Sequence, residues 1–330
     1  MNHVPILLLY PTSLHSEFEG KYAGSHQALT QFSPPGDKPS PGEESVQETF
    51  TEEWRPAHLE EEELTFTYSY DDLLKLNSKV WLKWIGELGQ PILNVLVVGC
   101  GAGREAMALG EMIAGSRVVG IDINLAVVAN GVRLDREPQL DVVVCSLLHL
   151  PFPVGTFDLV YSQGVLHHNK STLEAFKAIA PCVREGGHLF VWVYGLDDHL
   201  IRRGFVGVLT RINYVIEAIL RPILSRFPGS LRQAILVGLA VVLHPLVLTR
   251  VRRKKLWHMK DTIHGLRDWL SPRYAHLHSY NEVIEWFERE GFRIVDVQSP
   301  AAYRDLFNKQ LWGVGMTGRR VNSAGKAAPD

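Results

Sequence analysis

The sequence predicts an open α/β domain, a mostly parallel sheet covered by helices on both faces. Three observations carry this expectation: near-continuous apolar runs of strand length, helix-length segments alternating with them, and a glycine-rich turn at the end of the first run. In such a fold the ligand is expected at the carboxyl ends of the strands.

Residues 1–47 are rich in Pro, Ser, Gly and His with little periodicity, and are expected to be loop or partly disordered. From Glu48 to about Leu88 an acidic stretch carries Phe50, Trp54, Phe66, Tyr68, Tyr70, Trp81 and Trp84. A purely solvated face has no use for those rings, so short helices laid across the domain are expected. Phe50 and Trp54 fall on one helical face, suited to closing over a ligand or to plain packing.

The alternation follows. Asn94–Val98 reads as a strand, Gly103–Gly115 as a helix, Arg117–Ile121 as a strand and Leu125–Leu134 as a helix. Asp141–Cys145 and Thr156–Tyr161 read as strands, Ser171–Val183 as a helix, and His188–Tyr194 as a strand after the Gly186-Gly187 turn. The pattern stops near Leu196 and resumes near Asp261, with a helix over Asn281–Glu290 and strands over Phe292–Val297 and Leu311–Thr317. The resulting division is an N-terminal segment 1–47, a core 48–195, an insert 196–260, the rest of the core 261–319 and a tail 320–330.

The insert is basic and apolar. From His199 to Lys260 there are 12 basic residues against the single acid Glu217, whereas Pro35 to Lys75 holds 12 acids and 3 bases. Its longest apolar stretch, Ala234–Leu248, contains Pro245 and falls short of the ~20 residues a membrane span needs. A helical cap over the site is expected, with peripheral membrane contact through residues 200–256 as the alternative.

Composition excludes other classes. The chain has 330 residues, 46% of them hydrophobic, and a net charge of −2, so it can bury a sizeable core and exerts no general pull on polyanions. Cys100, Cys145 and Cys182 lie far apart beside apolar runs and suggest neither disulfides nor a metal site. His149, His167, His168 and Cys145 lack the spacing of a zinc site, and no metal is expected. The N-terminus lacks a basic region and a long apolar stretch and does not read as a secretory signal. A cytoplasmic location is expected, with membrane association of the insert as the variant.

The strongest motif is Val95–Arg104, VLVVGCGAGR. Gly99, Gly101 and Gly103 suit a tight turn where backbone approaches a ligand. A pyrophosphate-binding G-x-G-x-x-G would place its third glycine where Arg104 stands, so a cofactor without pyrophosphate fits better. Asp122 ends the next strand 19 residues after Gly103 and can accept both hydroxyls of a ribose.

These residues resemble the class I S-adenosylmethionine-dependent methyltransferases of the small-molecule type, with a methyltransferase type 11 core. VLVVGCGAGR is similar to the family's first motif, Val118–Asn124 (VVGIDIN) to its second, Leu150–His168 to the segment around its fourth strand, and Pro181–Gly195 to its glycine turn and fifth strand. The resemblance covers roughly 48–195 and 261–319. It implies a Rossmann-like seven-stranded mostly parallel sheet with a helical insert after the fifth strand. It also implies S-adenosyl-L-methionine as cofactor, held by Gly99, Cys100, Gly101, Gly103, Asp122, Ile123, Ser146, Leu147, Gln163 and Gly164. Ser146 departs from the pattern, since relatives often carry an acid there that touches the adenine amine.

His167 and His168 follow the fourth strand and are the catalytic candidates, able to deprotonate or orient an acceptor. Tyr274, His276 and His278, in a segment similar to one preceding the last helix of such enzymes, are further candidates for substrate contact. The acceptor is expected to be small or lipid-like, because the insert's basic residues are interleaved with aliphatic ones and no stacking platform accompanies them, which argues against nucleic acid. A nicotinamide-dependent oxidoreductase and a non-catalytic, membrane-associated cofactor-binding scaffold are the alternatives.

Overall fold

The computed structural model describes residues 4–8, 10, 38–54, 69–89, 91–127, 140–196, 215–227, 229–250, 259–308 and 311–321. Seven strands form one sheet: β1 (Asn94–Val98), β2 (Arg117–Asp122), β3 (Leu140–Val144), β4 (Phe157–Gln163), β5 (Val183–Val193), β6 (Phe292–Val297) and β7 (Val314–Arg320), in the order β3-β2-β1-β4-β5-β7-β6. The first five are parallel, and β7 runs antiparallel between β5 and β6.

The pleat divides each central strand between two cores. Val95 and Val97 face one side with Leu76, Val80, Trp81 and Leu109, while Leu96 and Val98 face the other with Phe176, Ile179, Val283 and Phe287. On the first side stand α2 (Tyr70–Leu76) and α3 (Arg104–Met112), with α8 (Pro300–Phe307) contributing Tyr303; on the second stand α4 (Thr172–Ile179) and α7 (Tyr280–Arg289). Both faces are buried, which is why β1 and β4 read as continuous apolar runs. Serines start both helices of the second side: as N-caps, Ser171 Oγ accepts from Glu174 N and Ser279 Oγ from Glu282 N, each at 3.2 Å.

The N-terminal segment takes part in the fold. Ile6 bridges Val144 alongside β3, and Leu8 and Tyr10 are buried in the first core. Helix α1 (Glu43–Glu53) begins inside the stretch read as loop, its start obscured because Val46 is the sole apolar side chain of the helix before Phe50. The second half of the helix predicted over Leu125–Leu134 lies outside the described residues, as do Phe66 and Tyr68.

The insert contributes residues 215–224 as helix, then α5 (Gly229–Arg250), which packs on α6 (Met259–Leu270) through Leu224, Leu236 and Leu270. Arg232 Nη2 lies 3.2 Å from Glu52 Oε2, tying the insert to α1. Among the described residues no helix is long and apolar enough to cross a membrane.

Candidate active site

The pocket opens at the carboxyl ends of β1, β2, β3 and β4, roofed by α1. The glycine loop supplies its floor: Gly99, Gly101 and Gly103 take φ of 72°, 53° and 86°, left-handed values that glycine adopts without strain. Asp122 turns both carboxylate oxygens to backbone donors, Oδ2 accepting from Gly101 N at 2.7 Å and Oδ1 from Asn124 N at 2.8 Å. Burial pushes its pKa up, opposed by those same hydrogen bonds. Each oxygen keeps a second lone pair for a hydroxyl.

Helix α1 is pinned across the opening. Gln47 Nε2 donates to Ile123 O at 3.1 Å, and Leu125 N donates to Thr51 Oγ1 at 2.9 Å. Its next face presents Glu43, Val46, Phe50 and Trp54 to the pocket. Trp54 lies over the glycine loop so closely that a Cβ built on Gly101 would stand 2.9 Å from its ring. Phe50 meets His168 edge-on, centroids 5.2 Å apart.

Of the residues expected to hold the cofactor, Gly99, Gly101, Asp122, Ile123, Ser146, Leu147, Gln163 and Gly164 line this pocket. Cys100 and Gly103 are not among the lining residues. The Cys100 thiol packs against Gly120, and Gly103 serves as the left-handed residue that opens α3. Glu43, Val46, Glu105 and Asn169 line the pocket without having been anticipated. The four-residue spacing of Val46, Phe50 and Trp54 was the available signal for α1.

The two histidines separate. His168 lines the pocket, and its Nδ1 lies 2.8 Å from Tyr274 O. A carbonyl only accepts, so Nδ1 carries the proton and Nε2 the lone pair. Burial lowers the His168 pKa to about 4, which keeps the ring neutral. His167 is fully buried behind it, its ring centroid 3.8 Å from that of Tyr194, and neither ring nitrogen has a partner. Tyr274, His276 and His278 do not line the pocket: Tyr274 packs on Gly42, His276 Nε2 is 3.0 Å from Asn169 O, and His278 Nε2 is 2.8 Å from Thr172 Oγ1.

The lining fits S-adenosylmethionine. Three carboxylates, Glu43, Glu105 and Asp122, stand around the pocket with no lysine or arginine among its lining residues, suiting a cation rich in hydrogen-bond donors and repelling a pyrophosphate. Ile123, Leu147 and Val165 offer apolar walls for a base. The nicotinamide alternative therefore gives way.

A family described as a methyltransferase domain matches residues 96–191. The tRNA U34 carboxymethyltransferase of Trichlorobacter lovleyi is 34% identical over 107 residues, covering 31% of this chain and 33% of that protein. A probable tRNA methyltransferase 9B of Bos taurus is 28% identical over 128 residues, 37% of this chain and 26% of that one. The tRNA (carboxymethyluridine(34)-5-O)-methyltransferase alkbh8 of Xenopus tropicalis is 28% identical over 104 residues, 31% and 15% of the two chains. The matched stretch thus spans a third or less of these relatives.

Their names overturn the expectation of a small or lipid-like acceptor, and with it the argument against nucleic acid. That expectation weighed the insert's aliphatic side chains above its charge, although 12 basic residues against one acid suit a polyanion equally well. The scaffold alternative falls too, since the cofactor core is that of an enzyme. The sheet order, the glycine loop with Asp122, and the domain match over residues 96–191 together show that the chain carries a class I S-adenosylmethionine-dependent methyltransferase fold.

Proposed function

We propose that the chain methylates a nucleoside of tRNA, with S-adenosylmethionine as donor. The observation that carries this reading is the naming of the curated relatives as tRNA-modifying enzymes. The basic insert, tied to the pocket's roof through Arg232 and Glu52, is compatible with phosphate contacts.

When bound, the cofactor supplies an electrophilic methyl group on a sulfonium. The protein's part is then to bring a nucleophile into line with it and keep water out. His168 is the group placed to orient the acceptor, its Nε2 lone pair free to accept a hydrogen bond while Tyr274 O fixes the ring. Its lowered pKa makes it a positioning group rather than a strong base. His167 stands behind it and supports the ring from the protein side.

The test is transfer of labelled methyl from S-adenosylmethionine to total tRNA, followed by digestion to nucleosides and mass spectrometry. Label in one nucleoside supports the reading. A protein that binds the cofactor and labels no tRNA rejects it.

A further inference from the structure

Helix α1 lies along the pocket with its two ends over different parts of it. Trp54 covers Gly101 at the carboxyl end, and Glu43 lines the pocket at the other end of eleven residues, about 16 Å away at the usual helical rise. The charge at that other end is felt at Tyr10. After burial, the charges of Glu43 and Glu44 are what push the Tyr10 hydroxyl's pKa up. Gln47, one turn along α1 from Glu43, donates to Ile123 O just past β2, so the helix runs from the glycine loop over the β2 end and Glu43 stands beyond it.

The two oxygens of Glu43 have different fates. Oε2 accepts from Ser40 N at 2.7 Å, whereas Oε1 is buried with no partner. A buried carboxylate oxygen without a donor is costly, so the folded chain holds an acceptor in readiness for something that donates. Ser146, which follows β3 and lines the same pocket, carries no charge, and its Oγ already accepts from Leu148 N at 3.1 Å. The family resemblance implies that the glycine loop takes the amino-acid part of the cofactor, and Asp122 suits its ribose, so the donor remaining beyond the β2 end is the exocyclic amine of the adenine.

We propose that Glu43 Oε1 accepts a hydrogen bond from that amine. The roof helix, rather than a residue of the sheet, thereby distinguishes adenine from bases bearing a carbonyl at the same position. The assignment does not depend on the identity of the acceptor.

Calorimetry with S-adenosylhomocysteine and with its inosine counterpart, in which a carbonyl oxygen replaces the amine, tests it on the full chain. The wild type should prefer the adenine form by roughly tenfold or more. Glu43→Ala should abolish that preference, even if both affinities fall because α1 is loosened. Glu43→Gln keeps an acceptor for Ser40 N and offers an amide N–H toward the base, so it should narrow or reverse the preference. A wild type indifferent to the base, or an undiminished preference in Glu43→Ala, overturns the proposal. So does loss of discrimination against a 2′-deoxyribose analogue with base preference intact, which would move Glu43 to the ribose.

Discussion

The ring of Tyr274 rests on the Cα of Gly42: a Cβ built there would lie 2.5 Å from both Cε2 and Oη. Gly42 also takes φ 88° as it leads into α1. One residue thus supplies both the turn and the clearance that let the segment after α6 lie against the roof helix. The same Tyr274 holds His168 through its carbonyl, so the roof helix and the His168 turn share an anchor.

Gly42→Ala should therefore destabilise the fold by about 1–2 kcal/mol from the left-handed backbone alone, with more from the clash. It should also weaken S-adenosylhomocysteine binding, because α1 carries part of the pocket. Tyr274→Ala removes the obstacle, and a double-mutant cycle read by urea unfolding should show the pair to be non-additive. Strict additivity would mean that the contact carries no strain.

Asp122→Ala should cost both cofactor affinity and stability. The carboxylate orders Gly101 and the turn at Asn124 before any ligand arrives. Losing a charged acceptor for two hydroxyls predicts roughly 10- to 100-fold weaker S-adenosylhomocysteine binding by calorimetry. Unchanged affinity would remove Asp122 from the ribose.

If, as proposed, His168 orients the acceptor, His168→Gln should lower the rate of transfer by about 10- to 100-fold while leaving S-adenosylhomocysteine affinity nearly unchanged. His167→Gln places an amide where a ring packs on Tyr194, and its effect should appear in thermal stability instead. A parallel loss of cofactor binding in the His168 variant would make that residue part of the cofactor site.

The sheet was legible because chemistry and position coincide there. A strand buried on both faces must be largely apolar, and β1, β2 and β4 fall within two residues of their expected bounds at either end. The glycine loop and Asp122 were legible for the same reason, since few residues fit a left-handed turn or a paired hydroxyl acceptor. What stayed hidden depends on distant neighbours. Glu43 and Glu53 are acids that read as solvated, yet they are 8% and 1% exposed because α1 lies over the pocket and against α6. The Glu52 and Arg232 contact joins residues 180 positions apart, and no local pattern announces it. His167 and His168 are adjacent in sequence, and only the short turn that carries them decides which one faces the pocket.

Asp268 is the group from which a pH dependence follows. Its Oδ2 accepts from Tyr194 Oη at 3.2 Å in the space between α6 and the end of β5. Burial pushes its pKa from 3.8 to about 6, against the pull of that hydrogen bond and of Arg221, with Glu217 adding to the rise. Nearby, Glu53 is pushed up first by burial and then by Asp268 itself. Between these two pH values the folded protein binds a proton that the unfolded chain has released. The stability this provides is fully present below pH 3.8 and is lost as the pH rises through about 6. Asparagine stays neutral and still accepts from the Tyr194 hydroxyl. Asp268→Asn should thus gain on the wild type as the pH rises from about 4 to 7, by about 1–2 kcal/mol once solvent screening of this partly exposed group is discounted, and the gain should level off above that. Urea unfolding at pH 4.5 and pH 8 measures it. An equal difference at both values would mean that Asp268 is already ionised throughout, held by Arg221 rather than opposed by its burial.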